Sequence, residues 1–248
     1  MKNRFYAFLT HLGLSLLVAI MASSIVFLVW YPAPLHEAIG VTQIFLLLLS
    51  VDIIIGPVIT FIIYQRGKPS LKFDLTVIAL LQIAALSYGM HTVFDGRPAF
   101  VVFNVDMFEV TRALDIDERS AKKAQADGNP SATVGWSPRW VGAVASTDSK
   151  RRQEIMFSSV QGGADWPQLP ELFVPLAQVK AQILKKALPL QELQKLHNNN
   201  AELDALLARG QAGPLKWLPL RGKAKDMVVI IDGATADIVE VVNIDPWP

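Results

Sequence analysis

The chain of 248 residues contains no cysteine, and it has only four histidines. The first absence excludes disulfide bonds, thiol catalysis and zinc sites built on cysteine. The histidines lie far apart, and no pair has the H-x-x-x-H spacing with which one helix face holds a metal ion. We also find no enzyme motif, so we expect no metal, no cofactor and no enzymatic activity.

The chain also lacks an excess of charge of either sign. It has 23 basic and 22 acidic residues, which leaves a net charge of +1. Five of the bases and three of the acids precede residue 95, so the remainder is close to neutral. A nucleic-acid-binding protein needs a basic surface to neutralise phosphates. Nucleic acid is therefore not an expected partner.

Apolar residues are plentiful, at 52% of the chain, and they concentrate before residue 95. They form three runs, at about 9–31, 39–64 and 75–94. About 20 apolar residues in a helix cross a hydrocarbon core of roughly 30 Å. We predict a membrane protein with a transmembrane module of three helices at 1–94 and a soluble domain at 95–248.

The first run is longer than the apolar region of a signal peptide, about 7–15 residues, so we expect an uncleaved anchor. Basic residues precede the first run and separate the second from the third: Lys2, Arg4, Arg66, Lys68 and Lys72. Because basic residues favour the cytoplasmic side, the N-terminus is predicted there and the soluble domain in the periplasm. This topology implies a multi-pass protein of a bacterial inner membrane, with Trp30 and Tyr31 at the outer interface.

The soluble domain reads as α+β with a small, mostly antiparallel sheet. Valine and phenylalanine dominate residues 100–110, which we predict to be one strand. Leucine, valine and isoleucine spacing predicts a helix at 171–188, interrupted early by Pro175. Three strands are predicted at 215–220, 227–232 and 238–244.

Asp52 stands out because it lies near the centre of the second apolar run. A carboxylate in the middle of a bilayer costs about 2.5–3.5 kcal/mol even on lenient insertion scales. The hydroxyls of Ser23 and Ser24 and the amide of Gln82 fall at a similar depth and could donate hydrogen bonds to it. Two interpretations stay open: an internal clamp between three helices, or a contact to a polar group on a partner's helix.

Gly56 and Pro57 follow one turn after Asp52. Proline frees backbone carbonyls in the preceding turn, and glycine lets another backbone approach closely. The pair predicts either a simple kink or a surface for a partner helix.

The order of these features resembles the TfpX/TfpZ family of type IV pilin accessory proteins. The residues that carry the resemblance are Val51-Asp52, Gly56-Pro57, Thr60, Lys68-Pro69, Phe73-Asp74-Leu75, Gln82, the LSYG segment at 86–89, and Arg97-Pro98 before the strand at 100–110. The resemblance covers roughly residues 1–110 and is weaker in the soluble domain.

The resemblance implies a non-enzymatic, chaperone-like protein that binds the major type IV pilin and supports pilin stability or pilus assembly. Further partners would be inner-membrane pilus assembly proteins and the lipid bilayer. The candidate partner-binding residues are Asp52, Gly56, Pro57, Gln82, Arg97 and Pro98. Two alternatives remain: a regulator of pilus assembly or retraction that acts through the N-terminal tail and residues 66–72, and a membrane-anchored enzyme that modifies pilin or the envelope.

Overall fold

The computed structural model describes residues 2–197, 201–210 and 214–247. The chain forms two compact units. The first contains Met1–His36 and Gly40–Gly96, and the second contains Glu37–Ile39 and Arg97–Pro248. A tripeptide from the connection between the first two apolar helices thus belongs to the second unit.

The first unit contains the three predicted apolar helices. The stretches long and apolar enough to cross a membrane are Lys2–Trp30, Val41–Ile63 and Leu71–Asp95. Their elements are α1 (Lys2–Ile25) with a π-helical end (Val26–Trp30), the short α2 (Leu35–Ile39), α3 (Val41–Ser50), a π-helical turn (Val51–Ile55), α4 (Gly56–Ile63) and α5 (Leu71–Asp95). The second apolar run is therefore one continuous helix with a π-helical turn at its centre.

One face of α1 carries small residues. Ser15, Ala19 and Ala22 are buried, and they are spaced four and three residues apart. This spacing places them on one side of a helix, where small side chains let a neighbouring helix approach closely. The elements that pack against α1 include α4 and the π-helical turn Val51–Ile55.

Trp30 and Tyr31 are buried, and both contact the end of α5. The Trp30 ring lies 5.0 Å from the ring of Phe94, and the Tyr31 hydroxyl donates to the carbonyl of Val93 at 2.7 Å. Val93 is in the last turn of α5, where carbonyls lack a donor from their own helix. A buried tyrosine needs a hydrogen-bond partner, and this carbonyl supplies it. The two aromatic residues thus tie the end of α1 to the end of α5.

The second unit is built on an eight-stranded sheet. Its strands are β1 (Pro98–Asn104), β2 (Met107–Arg112), β3 (Arg139–Ala143), β4 (Phe173–Pro175), β5 (Leu188–Pro189), β6 (Leu215–Arg221), β7 (Met227–Asp232) and β8 (Ile238–Val242). The order is β4-β3-β1-β2-β6-β7-β8, and β5 pairs with β6.

The sheet is mixed, which corrects the prediction of a small, mostly antiparallel sheet. β1 pairs with β3 in parallel, and β2 pairs with β6 in parallel. Both pairings join strands that are distant in sequence, which local patterns do not reveal. The other pairings within the described residues are antiparallel.

Residues 100–110 form a hairpin rather than one strand. Val105 adopts a φ of 60°, and the Asp106 N–H donates to the Asn104 carbonyl at 2.7 Å. The turn was missed because Val105 continues the apolar run, although β-branched residues rarely adopt positive φ. Strand β1 lies between β2 and β3, and its residues from Pro98 to Phe103 are all buried.

Five α-helices accompany the sheet in the described residues: α6 (Glu118–Ala126), α7 (Ser149–Val160), α8 (Lys180–Lys186), α9 (Leu190–Leu196) and α10 (Ala201–Gly210). The helix predicted at 171–188 is wrong over most of its length, because only α8 is α-helical there. Pro175 has no N–H to donate and ends the edge strand β4 instead.

Candidate functional site

Asp52 lies within the π-helical turn Val51–Ile55 and is only 7% exposed. Gln82 reaches it from α5. The Gln82 Nε2 donates to the backbone carbonyl of Asp52 at 3.2 Å and to its Oδ1 at 3.4 Å. One side-chain amide therefore binds both the backbone and the carboxyl group of the same residue.

Pro57 explains why the Asp52 carbonyl is available. In a π-helix, each N–H donates to the carbonyl five residues earlier. The residue five positions after Asp52 is Pro57, which has no N–H. An unpaired buried carbonyl costs free energy comparable to a lost hydrogen bond, and the Gln82 amide supplies the donor.

Gly56 leaves room for this amide. A Cβ atom at Gly56 would lie 2.1 Å from the Gln82 Nε2 and 2.5 Å from its Cδ. Any larger residue at this position must displace the Gln82 side chain. The structure therefore brings four of the sequence-predicted residues together: Asp52, Gly56, Pro57 and Gln82.

Two polar residues that line the cavity with Asp52, His11 and Ser15, are not among the sequence-predicted site residues. The His11 Nδ1 lies 2.6 Å from the Thr60 Oγ1, and Ser15 is buried one turn further along α1. The available signal was the four-residue spacing of His11 and Ser15, which continues into the small-residue face of α1.

The predicted contribution of Ser24 is wrong. Its hydroxyl donates to the carbonyl of Ile20 in its own helix at 2.8 Å. A serine inside a helix commonly satisfies its hydroxyl in this way. His11 and Ser15, rather than Ser24, line the cavity that contains Asp52.

Two cavities lie between α1 and α5. One, of about 170 Å³, is lined by Leu14 and Val18 of α1, by Ile83 and Leu86 of α5, and by Asp52. The other, of about 500 Å³, is lined by Tyr6 and Thr10 of α1, by Leu75 of α5, and by Thr60 and Tyr64. His11, Leu14 and Ala79 line both, so we treat the two cavities together as the α1–α5 groove.

The α1–α5 groove has apolar walls and a few polar groups. Leu14 is 59% exposed and Ile83 is 61% exposed, so its walls are open to the surroundings. Its polar groups include Asp52, Gln82, His11, Ser15 and Thr60. A groove of this composition suits an apolar ligand that carries a polar group.

Arg97 and Pro98 belong to the second unit. Arg97 is 7% exposed, and its Nε and Nη2 donate to the Gly135 carbonyl at 3.4 and 3.3 Å. Pro98 begins β1 and pairs with Arg112. Within the second unit these two residues hold the start of the sheet in place.

The residues predicted to set the topology lie at or near the ends of the apolar helices. Lys2, Arg4, Arg66 and Lys72 are exposed. Lys68 pairs with Asp74 at 2.6 Å across the start of α5. Their positions are compatible with contact to water or lipid headgroups.

The chain therefore has the architecture of a candidate membrane protein, with three helices of membrane-spanning length around a buried carboxylate and a separate α+β unit. Residues 1–40 match the family model of the fimbrial assembly protein FimB. The chain is 28% identical over 252 residues to the fimbrial assembly protein of Dichelobacter nodosus serogroup E1, covering 96% of this chain and 93% of the relative.

Two further relatives come from the same organism. The chain is 29% identical over 245 residues to the fimbrial assembly protein of serogroup I, covering 96% of this chain and 93% of that protein. It is 34% identical over 108 residues to the protein of serogroups C1 and C2, covering 43% of this chain and 82% of that protein. No solved structure matches the chain. The chain belongs to the FimB family of fimbrial assembly proteins.

Proposed function

We propose that this protein is a membrane-embedded accessory protein of type IV fimbrial assembly that binds the fimbrial subunit, the major type IV pilin, and catalyses no reaction. Its family and the fimbrial assembly proteins of Dichelobacter nodosus support the assembly role. The resemblance of residues 1–110 to TfpX/TfpZ accessory proteins supports pilin as the partner. Binding would hold the subunit in the membrane until it is assembled.

The observation that carries the proposal is the α1–α5 groove. An α-helix with side chains is about 10–12 Å across, so it packs well between two neighbouring helices. The first and third helices meet through Tyr31 and Val93, whereas elsewhere along their length cavities separate them. We infer that one apolar helix of the subunit occupies this space.

The polar groups of the α1–α5 groove give the contact its selectivity. Lipid tails are as apolar as leucine side chains, so helices associate in a membrane through close packing and hydrogen bonds. Asp52 and Gln82 offer both an acceptor and a donor within apolar walls. A subunit helix with a polar group at this depth would be favoured over a purely apolar helix.

We propose an inner-membrane location with the N-terminus in the cytoplasm and the second unit in the periplasm. The exposed bases Lys2, Arg4 and Arg66 support this orientation. The absence of cysteine permits a direct test with single cysteines. In spheroplasts, a membrane-impermeant maleimide should label Gln125→Cys and spare Gln65→Cys, and the reverse pattern would invert the topology.

Filling the α1–α5 groove tests the proposed function. Ala79 lines both cavities, so Ala79→Trp should block the groove and reduce co-purification of the fimbrial subunit at least fivefold. Leu80→Trp is the matched control, because Leu80 is the next residue of the same helix and is 60% exposed. Equal recovery of the subunit with both variants would contradict binding in this groove.

A further inference from the structure

A second concave site lies between helices α6 and α7 of the second unit. It encloses about 350 Å³, and we call it the α6–α7 pocket. Arg119 and Lys123 line it from α6, Arg151 and Ile155 from α7, and Leu169 and Glu171 come from the following segment. This volume is at the lower end of the range for ligand sites, so it suits a small group rather than a large cofactor.

An ion-paired carboxylate lies in this pocket. The Glu171 side chain is only 3% exposed, and its Oε1 accepts from the Arg151 Nε at 2.8 Å and Nη2 at 2.6 Å. Its Oε2 lies 2.6 Å from the Lys123 Nζ. Glu171 is thus ion-paired with two bases of its own chain.

Arg119 adds a third positive charge. Its side chain is exposed, and among the described residues none forms a hydrogen bond or ion pair with it. The nearby Asp117 is used as the cap of α6, since its Oδ1 accepts from the Ser120 N–H at 2.7 Å. The pocket therefore has more donors than its own acids satisfy.

The base of the pocket is apolar. Ile155 and Leu169 are each 3% exposed and pack together with Leu172. Such a surface favours a short hydrocarbon segment next to the charged group. A ligand that fits both parts carries one anionic group on an apolar stem.

We propose that the α6–α7 pocket binds a peptide carboxylate, with Arg119 as its principal partner. The fork of an arginine guanidinium matches the two oxygens of a carboxylate. The side chain of Lys123 is 53% exposed, and its Nζ carries three N–H donors, of which the ion pair with Glu171 does not need all. The carboxylate comes from an acidic side chain or from a chain end. This inference does not depend on the α1–α5 groove.

The test uses the full chain in detergent and ligand-detected nuclear magnetic resonance with blocked peptides. Acetyl-leucyl-glutamate amide presents a side-chain carboxylate, and acetyl-glycyl-leucine with a free end presents a terminal one. Acetyl-leucyl-glutamine amide is the neutral probe. We expect at least one acidic probe to bind ten times more tightly than the neutral probe, and the tighter one identifies the source.

Substitutions connect the binding to the pocket. Arg119→Gln should weaken binding of the acidic probe about tenfold. It should leave the thermal unfolding temperature unchanged, because the Arg119 side chain is exposed. Lys122→Gln is the control, since Lys122 lies on the same helix but outside the pocket, with a side chain that is 79% exposed. The proposal would be overturned if the acidic probes did not bind, or if they bound no more tightly than the neutral probe. It would also be overturned if Arg119→Gln left the affinity for the acidic probe unchanged, or if Lys122→Gln lowered that affinity equally. Inorganic phosphate that binds more tightly than either acidic probe would overturn the assignment to carboxylates.

Discussion

Gly56 and Gln82 lie so close that a single added carbon atom at Gly56 would occupy the position of the Gln82 amide, 2.1 Å from its Nε2. The glycine therefore determines where the amide points, and the amide determines what the Asp52 carboxyl and carbonyl contact. The hydrogen bonds of Asp52, the buried carboxylate of the apolar helices, thus depend on a glycine at position 56.

Gly56→Ala should displace the Gln82 amide and lower fimbriation several-fold while the protein level stays constant. The added methyl group forces Gln82 out of its hydrogen bonds, but the flexible side chain moves without unfolding the helices. Gly13→Ala is the matched control, because nothing lies within 4 Å of a Cβ at that position of α1. Surface fimbriae are counted by electron microscopy, and indistinguishable counts for the two variants would refute the role of Gly56.

Asp52→Leu should reduce the amount of fimbrial subunit and surface fimbriae, whereas the protein itself still inserts. Leucine removes the acceptor that faces Gln82, and Asp52→Asn should have a milder effect because its side-chain oxygen still accepts. Immunoblots of the subunit and of this protein measure both quantities. A stable Asp52→Leu protein with normal fimbriation would reduce Asp52 to an internal clamp.

Glu171→Gln should destabilise the second unit at neutral pH by about 2 kcal/mol, since hydrogen bonds to charged groups contribute roughly 1.5–3 kcal/mol. Burial alone would raise the pKa of Glu171, but Lys123 and Arg151 outweigh it and hold this pKa below its usual value. The contribution of Glu171 to the free energy of unfolding is therefore complete above the pKa of an unfolded glutamate, about 4.3. It is lost as the pH falls through the lower pKa of Glu171 in the folded protein.

Hydrogen exchange of second-unit amides against pH measures this effect. The wild type should lose protection below about pH 4.3, and Glu171→Gln should show a smaller loss over the same range. Glu154→Gln serves as the control, because Glu154 also pairs with Arg151, at 3.2 Å, but its side chain is 65% exposed. Exposed pairs contribute little. If wild type and Glu171→Gln lost protection equally as the pH fell, Glu171 would not be the group responsible.

Gly222→Ala should destabilise the second unit by about 1–3 kcal/mol, the usual cost of overpacking. The N–H groups of Lys223 and Ala224 donate to the Ala38 carbonyl at 2.8 and 2.9 Å. A Cβ at Gly222 would lie 2.5 Å from this carbonyl oxygen and 2.1 Å from that of Lys225, and neither backbone atom moves easily.

Ala224→Ser is the control for this prediction, because Ala224 is exposed in the same loop and the variant keeps the N–H donor. Proteolysis rates of the full chain in detergent compare the two variants. Equal rates would show that the loop adapts to the added methyl group.

Hydropathy alone predicts the three apolar helices, because a membrane-spanning helix requires a long apolar run. The sequence also predicts the contact between Asp52 and Gln82, since both residues lie near the middle of their apolar runs and therefore at a similar depth. The role of His11 was not predicted, because its contact with Thr60 joins positions 49 residues apart. Local patterns do not show such contacts.

In the second unit, too, local features could be predicted from the sequence and long-range contacts could not. The strands β6, β7 and β8 lie close to their predicted bounds, and consecutive strands pair locally. The parallel pairing of Phe108 with Leu220 was not predictable, because it joins two strands with most of the second unit between them. The α6–α7 pocket was also missed, since its bases come from two helices and its carboxylate from a third segment.

Photocrosslinking inside the α1–α5 groove tests the central claim most directly. A photoreactive amino acid is placed at Val18 or Ile83, which line the groove, and at Leu47, which is 69% exposed and is not among the lining residues. The experiment uses cells that also express the fimbrial subunit, and mass spectrometry identifies the adducts. We predict subunit adducts from Val18 and Ile83 and none from Leu47. The absence of subunit adducts from the groove positions, or equal yields from all three, would contradict the account.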